Sequence, residues 1–346
     1  MHPALPFIAL WLAGLALCCQ PAAAPGQQSV GTRHVHTPAG RAVRRGGRTW
    51  AMTWLLAGGL AWSGGLLDAR GALAVLGCIG LAGWWRGVAP HDGGLGGSSG
   101  KAQHSTGPQW LHAMAPWLIG ALALALALHI IPGFHNPLVL DGARWRPGDP
   151  PFSLSASFDK ACAGLLLLAT VVPRCIPLAA VSANASANAS VSANVGANAA
   201  TIARAALLTT FAALGLGWAW GLTEPAMAWP QVPGHPEAMA LFLALNLFVT
   251  CVAEEAFFRG LLQSALMRRW AARGMAGTVA AIALPAALFG LAHLGGGPLM
   301  AVLATIVGIG SGWAFARTGR IAAAVLTHFT VNAVHLLAFT YPARVA

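Results

Sequence analysis

From residue 237 to residue 340 the chain is a succession of four apolar runs, 237–270, 276–294, 299–316 and 321–340, parted only by short loops. The hydrocarbon core of a bilayer takes about 20 apolar residues in helical form. Backbone groups there must be bonded within their own segment, so continuous apolar runs of this length are read as helices. Further runs lie near 50–67, 71–86, 110–132, 159–181 and 202–222. The expected fold class is therefore all-α, a polytopic transmembrane helix bundle of about 8–10 spans in a cell membrane. Only 8% of residues are charged, against about a quarter in soluble domains. Basic residues exceed acidic ones by 20 to 9. Most of that surplus sits in short loops, where the positive-inside rule places it, so no nucleic-acid partner is expected.

The organisation is uneven. Residues 1–24 are either a signal peptide or a first membrane helix: Ala22-Ala23-Ala24 suits a cleavage site, but no Lys or Arg precedes the apolar run. Residues 25–109 read as a basic cytoplasmic loop over 26–49, a short hydrophobic hairpin and a Gly/Ser linker at 87–108. Residues 110–181 read as membrane helices joined by a Pro/Gly-rich external loop at 132–153. Residues 182–200 form a low-complexity Ser/Ala/Asn loop. Its Asn184 and Asn188 sequons are read as repeat slippage in a tolerant segment. Residues 201–341 form the core, with the site between its helices. Basic loops are placed inside, and 223–237 and 295–298 outside. The six cysteines show no CxxC pair and are read as small hydrophobes. The Ala/Gly-rich composition points to a bacterial inner membrane.

Of nine acidic residues, only Glu254 and Glu255 lie in the middle of an apolar run. A carboxylate in hydrocarbon is costly, and an ionisable residue kept there is a functional-site hypothesis. Glu255 and Arg259 are four apart and can pair on one helix face, while Glu254 is turned by about 100° from that pair. His328 and Asn332, and likewise Phe289 and His293, repeat the four-residue spacing on later helices. Counting residues from the loops puts Glu254 and His293 at nearly equal depth. His328 and Asn332 come out roughly 10–15 Å shallower if every helix is straight.

A carboxylate beside a neutral imidazole can hold a water and take its proton. A second histidine with an asparagine amide offers donors for an oxyanion. Cys251 lies close by, but the sequence shows no base beside it. The residues favour water-mediated attack on a peptide bond of a membrane-associated protein. A zinc ion on Glu254, His293 and His328 is the close variant, with less motif support because HExxH is absent. The expected cofactor is therefore none, or zinc. A proton-coupled transporter would also bury carboxylates and histidines, but it predicts internal repeats, and the Glu-Glu, His and HxxxN set occurs once. A non-catalytic scaffold is the remaining alternative. His129 and His335 are read as hydrogen-bonding or span-end residues, and Gly308 and Gly312 as a close-packing GxxxG.

Three stretches, EEAFFRG (254–260), FGLAH (289–293) and HFTVN (328–332), resemble in order and spacing the EExxxR, FxxxH and HxxxN motifs of the CPBP family. That family includes the type II CAAX prenyl proteases and bacterial Abi proteins. The resemblance covers roughly residues 200–340. It implies that Glu254 activates water with help from His293, and that His328 and Asn332 stabilise the oxyanion. Glu255 and Arg259 would support them, with Phe289 packing near the site. It leaves glutamic and metal-dependent mechanisms both open, and a prenylated CAAX substrate is one of several possibilities.

Overall fold

The computed structural model describes residues 5–18, 38–88, 109–172 and 191–344. Its contacts divide into two units, Met1–His135 with Phe158–Arg174, and Asn136–Ser157 with Cys175–Ala346.

The first unit contains α1 (Leu5–Cys18), α2 (Pro38–Ser63), α3 (Ala69–Val88), α4 (Gln109–Ala127) and α5 (Phe158–Thr170). Apolar on every side, α5 is buried along almost its whole length, as such a helix must be. The last carbonyls of α5 are met by side chains of α3: Arg86 donates to Ala169 O at 3.0 Å and Trp85 to Thr170 O at 3.3 Å. At its other end, buried Asp159 lies 2.7 Å from Nδ1 of His129, just past α4.

Two expectations change here. Residues 38–49, assigned to a cytoplasmic loop, form the first turns of α2. Pro38 opens the helix, a position where its missing N–H costs nothing, and the Ala and Arg residues that follow are strong helix formers. Secondly, α5 ends at Thr170, and residues 173–181 of the expected span lie outside the described residues. Residues 89–108 of the Gly/Ser linker, residues 173–190 and the Ala22–Ala24 stretch lie outside the described residues.

The second unit begins its helices with α6 (Val191–Ala219), so residues 191–200, expected in a loop, are helical. A 32-residue helix, Ala238–Arg269, follows. It comprises α7 (Ala238–Leu245), a π-helical turn Asn246–Cys251, α8 (Val252–Glu255), a second π segment Ala256–Gln263, and α9 (Ser264–Arg269). Then come α10 (Gly274–Ala292), α11 (Pro298–Thr318) and α12 (Ile321–Ala338). Five helices of this unit, Asn198–Ala219, Ala238–Arg269, Ala271–Ala292, Pro298–Thr318 and Ile321–Ala338, are long and apolar enough to cross a membrane. The protein is a polytopic helix bundle. Against the eight to ten spans expected, these five meet the criterion among the described residues, and Ala113–Ala127 is apolar but shorter.

Because lipid is as apolar as a leucine side chain, helices in it associate through close packing of small residues. That is visible where α10 meets α11. A Cβ on Gly308 would stand 2.9 Å from Ala286 Cα, and one on Gly290 would stand 2.5 Å from Ala301 O. On the outer side of α6, Leu207, Leu208 and Phe211 are 69–82% exposed, an apolar surface suited to lipid.

Residues 132–153, expected to be plain loop, contribute instead to an antiparallel hairpin of β1 (Leu138–Ala143) and β2 (Phe152–Ser155). Leu140 and Trp145 pack with Phe242, Val232 and Leu336, flanked by Phe152 and Tyr341. Burial pushes the Tyr341 phenol above its usual range. Arg146, 5% exposed, reaches from the hairpin turn to the end of α12. Its guanidinium donates to Leu336 O at 2.7 Å, Leu337 O at 3.0 Å, Phe339 O at 2.9 Å and Ala228 O at 2.5 Å. Asp149 lies 3.4 Å from it. A cation there satisfies carbonyls that the helix leaves open and opposes the negative end of its dipole.

Arg146→Ala should therefore lower the unfolding free energy by roughly 2–4 kcal/mol, since several charge-assisted bonds and a buried partner are lost together. Arg344→Ala, which breaks a half-exposed pair with Glu224, should change it by about 0–1 kcal/mol. Melting of the two purified variants in detergent tests the contrast.

Candidate active site

Three helical elements of the second unit meet at the ring of Phe289, which is 1% exposed. From the C-terminal end of α10, His293 lies at 4.5 Å between ring centroids, tilted by 44°. From α12, His328 meets Phe289 edge-on at 5.4 Å and 89°. From the Ala238–Arg269 helix, Phe258 lies at 5.1 Å and the Arg259 guanidinium at 5.6 Å. The two histidine rings are thus no more than about 10 Å apart. Counting residues from the loops therefore overstates how far His328 is set off from His293.

Beneath Phe289 lies a fully buried charged set. Glu255 and Arg259 are both 0% exposed and His328 is 4% exposed. Arg259 Nε approaches Glu255 Oε2 at 2.9 Å, an ion pair whose angle is not that of a hydrogen bond. The other carboxylate oxygen, Oε1, lies 2.9 Å from His328 Nδ1. With the carboxylate oxygen as acceptor, His328 Nδ1 is the donor. The terminal nitrogens of Arg259 find no hydrogen-bond acceptor among the described residues. The guanidinium lies instead over the faces of Phe258, at 5.8 Å, and Phe289.

The remaining candidates are more accessible. Glu254, His293 and Asn332 are each half-buried. His293 Nδ1 lies 2.8 Å from Phe289 O. A carbonyl can only accept, so Nδ1 carries a proton and the other ring nitrogen, Nε2, is left clear of that bond. Glu254 lies within electrostatic range of Arg259 and Cys251. Asn332 Nδ2 donates to Asn246 Oδ1 at 3.2 Å.

Two features escaped the sequence reading. Cys251, for which the sequence showed no adjacent base, lies within electrostatic range of His328. Its thiol also donates to Asn246 Oδ1 at 3.4 Å. Asn246 itself was not among the candidates. Its only signal was a polar amide in an apolar helix, and its spacing of five from Cys251 does not fit an α-helical face. The π turn Asn246–Cys251 puts residues five apart on one side. By contrast His335, with Nε2 3.1 Å from Thr340 O and its ring 4.9 Å from Tyr341, sits at the helix end as expected. Among the described residues, no three His, Cys, Asp or Glu side chains gather in a metal-holding arrangement.

Residues 236–334, from just before the Ala238–Arg269 helix into α12, match a family described as Rce1-like, type II CAAX prenyl endopeptidase Rce1-like. The match covers under a third of the chain, and over that segment, which holds all three motifs, the protein is similar to type II CAAX prenyl endopeptidases. Comparisons with curated proteins and with solved structures gave no match.

Breaking the buried set should be costly, because removing one member leaves an uncompensated charge. Arg259→Ala is expected to destabilise the protein by roughly 3–5 kcal/mol. Arg259→Lys should not rescue it, because an ammonium cannot both face Glu255 and lie flat against two rings. Melting temperature and detergent-extracted yield of the two variants are the measurements.

Proposed function

We propose that this protein is an intramembrane endopeptidase in which Glu254, assisted by His293, activates the water that attacks a peptide bond. The observation that carries this reading is the division of the polar residues. Glu255, Arg259 and His328 are locked together and buried, while Glu254, His293 and Asn332 remain partly open.

Glu254 is the general base. It takes a proton from water as the water oxygen bonds to the scissile carbonyl carbon, and the carbonyl π electrons move to oxygen. That oxyanion is met by the Asn332 amide and by the ring N–H of His328, when His328 is protonated on both nitrogens, its charge balanced by Glu255. Collapse of the tetrahedral species expels the amine, which recovers a proton from Glu254 or through His293. The His293 Nε2 lone pair, left open by the bond from Nδ1 to Phe289 O, can hold the water before attack. The substrate is a membrane-associated protein or peptide presented near the site from the bilayer, at a bacterial inner membrane by the composition. A C-terminal CAAX-type sequence is the class that the family match supports. The mechanism is drawn with this chain's own residues, and a zinc ion on Glu254, His293 and His328 is the alternative that the chelator experiment addresses. Nothing in the bundle favours a transport path or an inert scaffold over it.

Purified protein in detergent should cleave a fluorogenic farnesylated CAAX peptide. Glu254→Ala and His293→Ala should each lower kcat by a factor on the order of 10²–10⁴, the usual worth of a positioned acid–base group. Wild-type rates in Glu254→Ala would sink the assignment. Activity lost to a chelator and regained with zinc would replace this mechanism with a metal-dependent one.

A further inference from the structure

We infer that Asn246 is a positioning residue for the site: it fixes the orientation of the Asn332 amide, and so sets where an oxyanion can be bound. The inference rests on the protease reading above and adds a residue outside its three motifs.

The geometry has three sides. Asn332 Nδ2 donates to Asn246 Oδ1 at 3.2 Å. The Cys251 thiol donates to the same oxygen at 3.4 Å. Asn332 Nδ2 also lies 3.9 Å from Cys251 Sγ. A primary amide has two N–H donors and one carbonyl oxygen, and by itself it can turn over and present either end. An acceptor oxygen fixed beside one N–H removes that freedom, because the flipped amide would set two carbonyl oxygens against each other. Asn246 is such an acceptor, and the Cys251 S–H, which donates to it, helps hold it in place. The second N–H of Asn332 is then left towards Cys251 Sγ. A thiol at 3.9 Å is a weak acceptor that an oxyanion would readily outcompete.

The backbone supports this arrangement. Asn246 and Cys251 bound a π-helical turn, Asn246–Cys251, directly before the glutamates. In an α-helix, residues five apart diverge by about 140°. With i→i+5 bonding they come back to the same side. The turn therefore brings Asn246 and Cys251 to one face, and that face meets α12 at Asn332.

The test is a double-mutant cycle on turnover of a farnesylated CAAX peptide by full-length protein in detergent, with melting temperature measured in parallel. Asn246→Leu is expected to lower kcat by roughly 10-fold or more, a part of what one oxyanion donor contributes, and to leave KM within about twofold. Asn332→Ala should lower kcat at least as much. The double variant should be no slower than Asn332→Ala, because the two residues act as one unit. Asn246→Asp, which keeps an acceptor oxygen in place, should recover most of the loss. Full kcat in Asn246→Leu, or losses that multiply in the double variant, would overturn the inference while leaving the protease reading intact. Unfolding of both Asn246→Leu and Asn246→Asp would assign Asn246 a purely structural part and overturn it too. A wild-type protein that does not cleave the peptide would overturn the protease reading, and this role with it.

Discussion

The buried contact between Glu255, Arg259 and His328 is the constraint around which the second unit is arranged. Taking a carboxylate and a guanidinium out of water costs several kcal/mol per ion even after relaxation. The aromatic faces of Phe258 and Phe289 against Arg259 return about 0.5–2 kcal/mol each. The ion pair at 2.9 Å must offset the remainder, so the set is not a device for stability. Its consequence is positional. Glu255 ties the Ala238–Arg269 helix to α12 through His328, and one ring edge of that histidine meets Phe289 of α10. A displacement of any of the three helices would strip a charge of its partner, which makes their relative placement sharply defined.

That placement is possible only because the helices approach closely. With no hydrophobic force between helices in lipid, contact depends on surfaces that fit. Gly290 and Gly308 let α10 and α11 touch at backbone distance, and Gly290 directly follows Phe289 in the chain. Gln263, fully buried one turn beyond Arg259, donates to Gly312 O at 2.8 Å. The GxxxG reading of Gly308 and Gly312 thus finds both glycines in close interhelical contact, Gly308 against α10 and Gly312 against the end of the second π segment. Farther along α12, Arg146 holds the helix terminus from the hairpin turn, so α12 is fixed at its end as well as at its middle.

What could be read from the chain alone follows from this division. Apolar length gives away α10, α11 and α12 almost residue for residue, since a bilayer demands it. Glu255 with Arg259 was legible as an ion pair from its four-residue spacing, and the two still meet although Arg259 lies in the second π segment. Asn246 was not legible, because the turn that carries it is π-helical and breaks α-helical periodicity. Cys251 was seen but left without a base, since His328 approaches it from 77 positions later in the chain. The hairpin was hidden in a Pro/Gly-rich stretch whose hydrophobic residues, Leu140 and Trp145, only become core when Phe242 and Leu336 cover them. Periodic, local relations survive reading in one dimension. Relations that depend on a changed helical pitch, or on a partner far along the chain, do not.

The π turns also bear on why two adjacent glutamates can serve different ends. In an unbroken α-helix, Glu254 and Glu255 would be separated by about 100°, and any shift that moved one would move the other equally. Here α8 is a four-residue α-helical stretch, Val252–Glu255, between two π segments. Each segment changes the angle at which its flanking residues face the bundle. The segment on the C-terminal side accompanies the turn of Arg259 towards Glu255 and under Phe289. The one on the N-terminal side brings Asn246 and Cys251 towards α12. With the buried residues drawn to that common side, Glu255 is fully enclosed while Glu254, one residue away, keeps part of its surface open. The helix thus separates two chemically identical side chains into a buried, paired carboxylate and a partly open one, and it is the second to which the proposed mechanism gives the water.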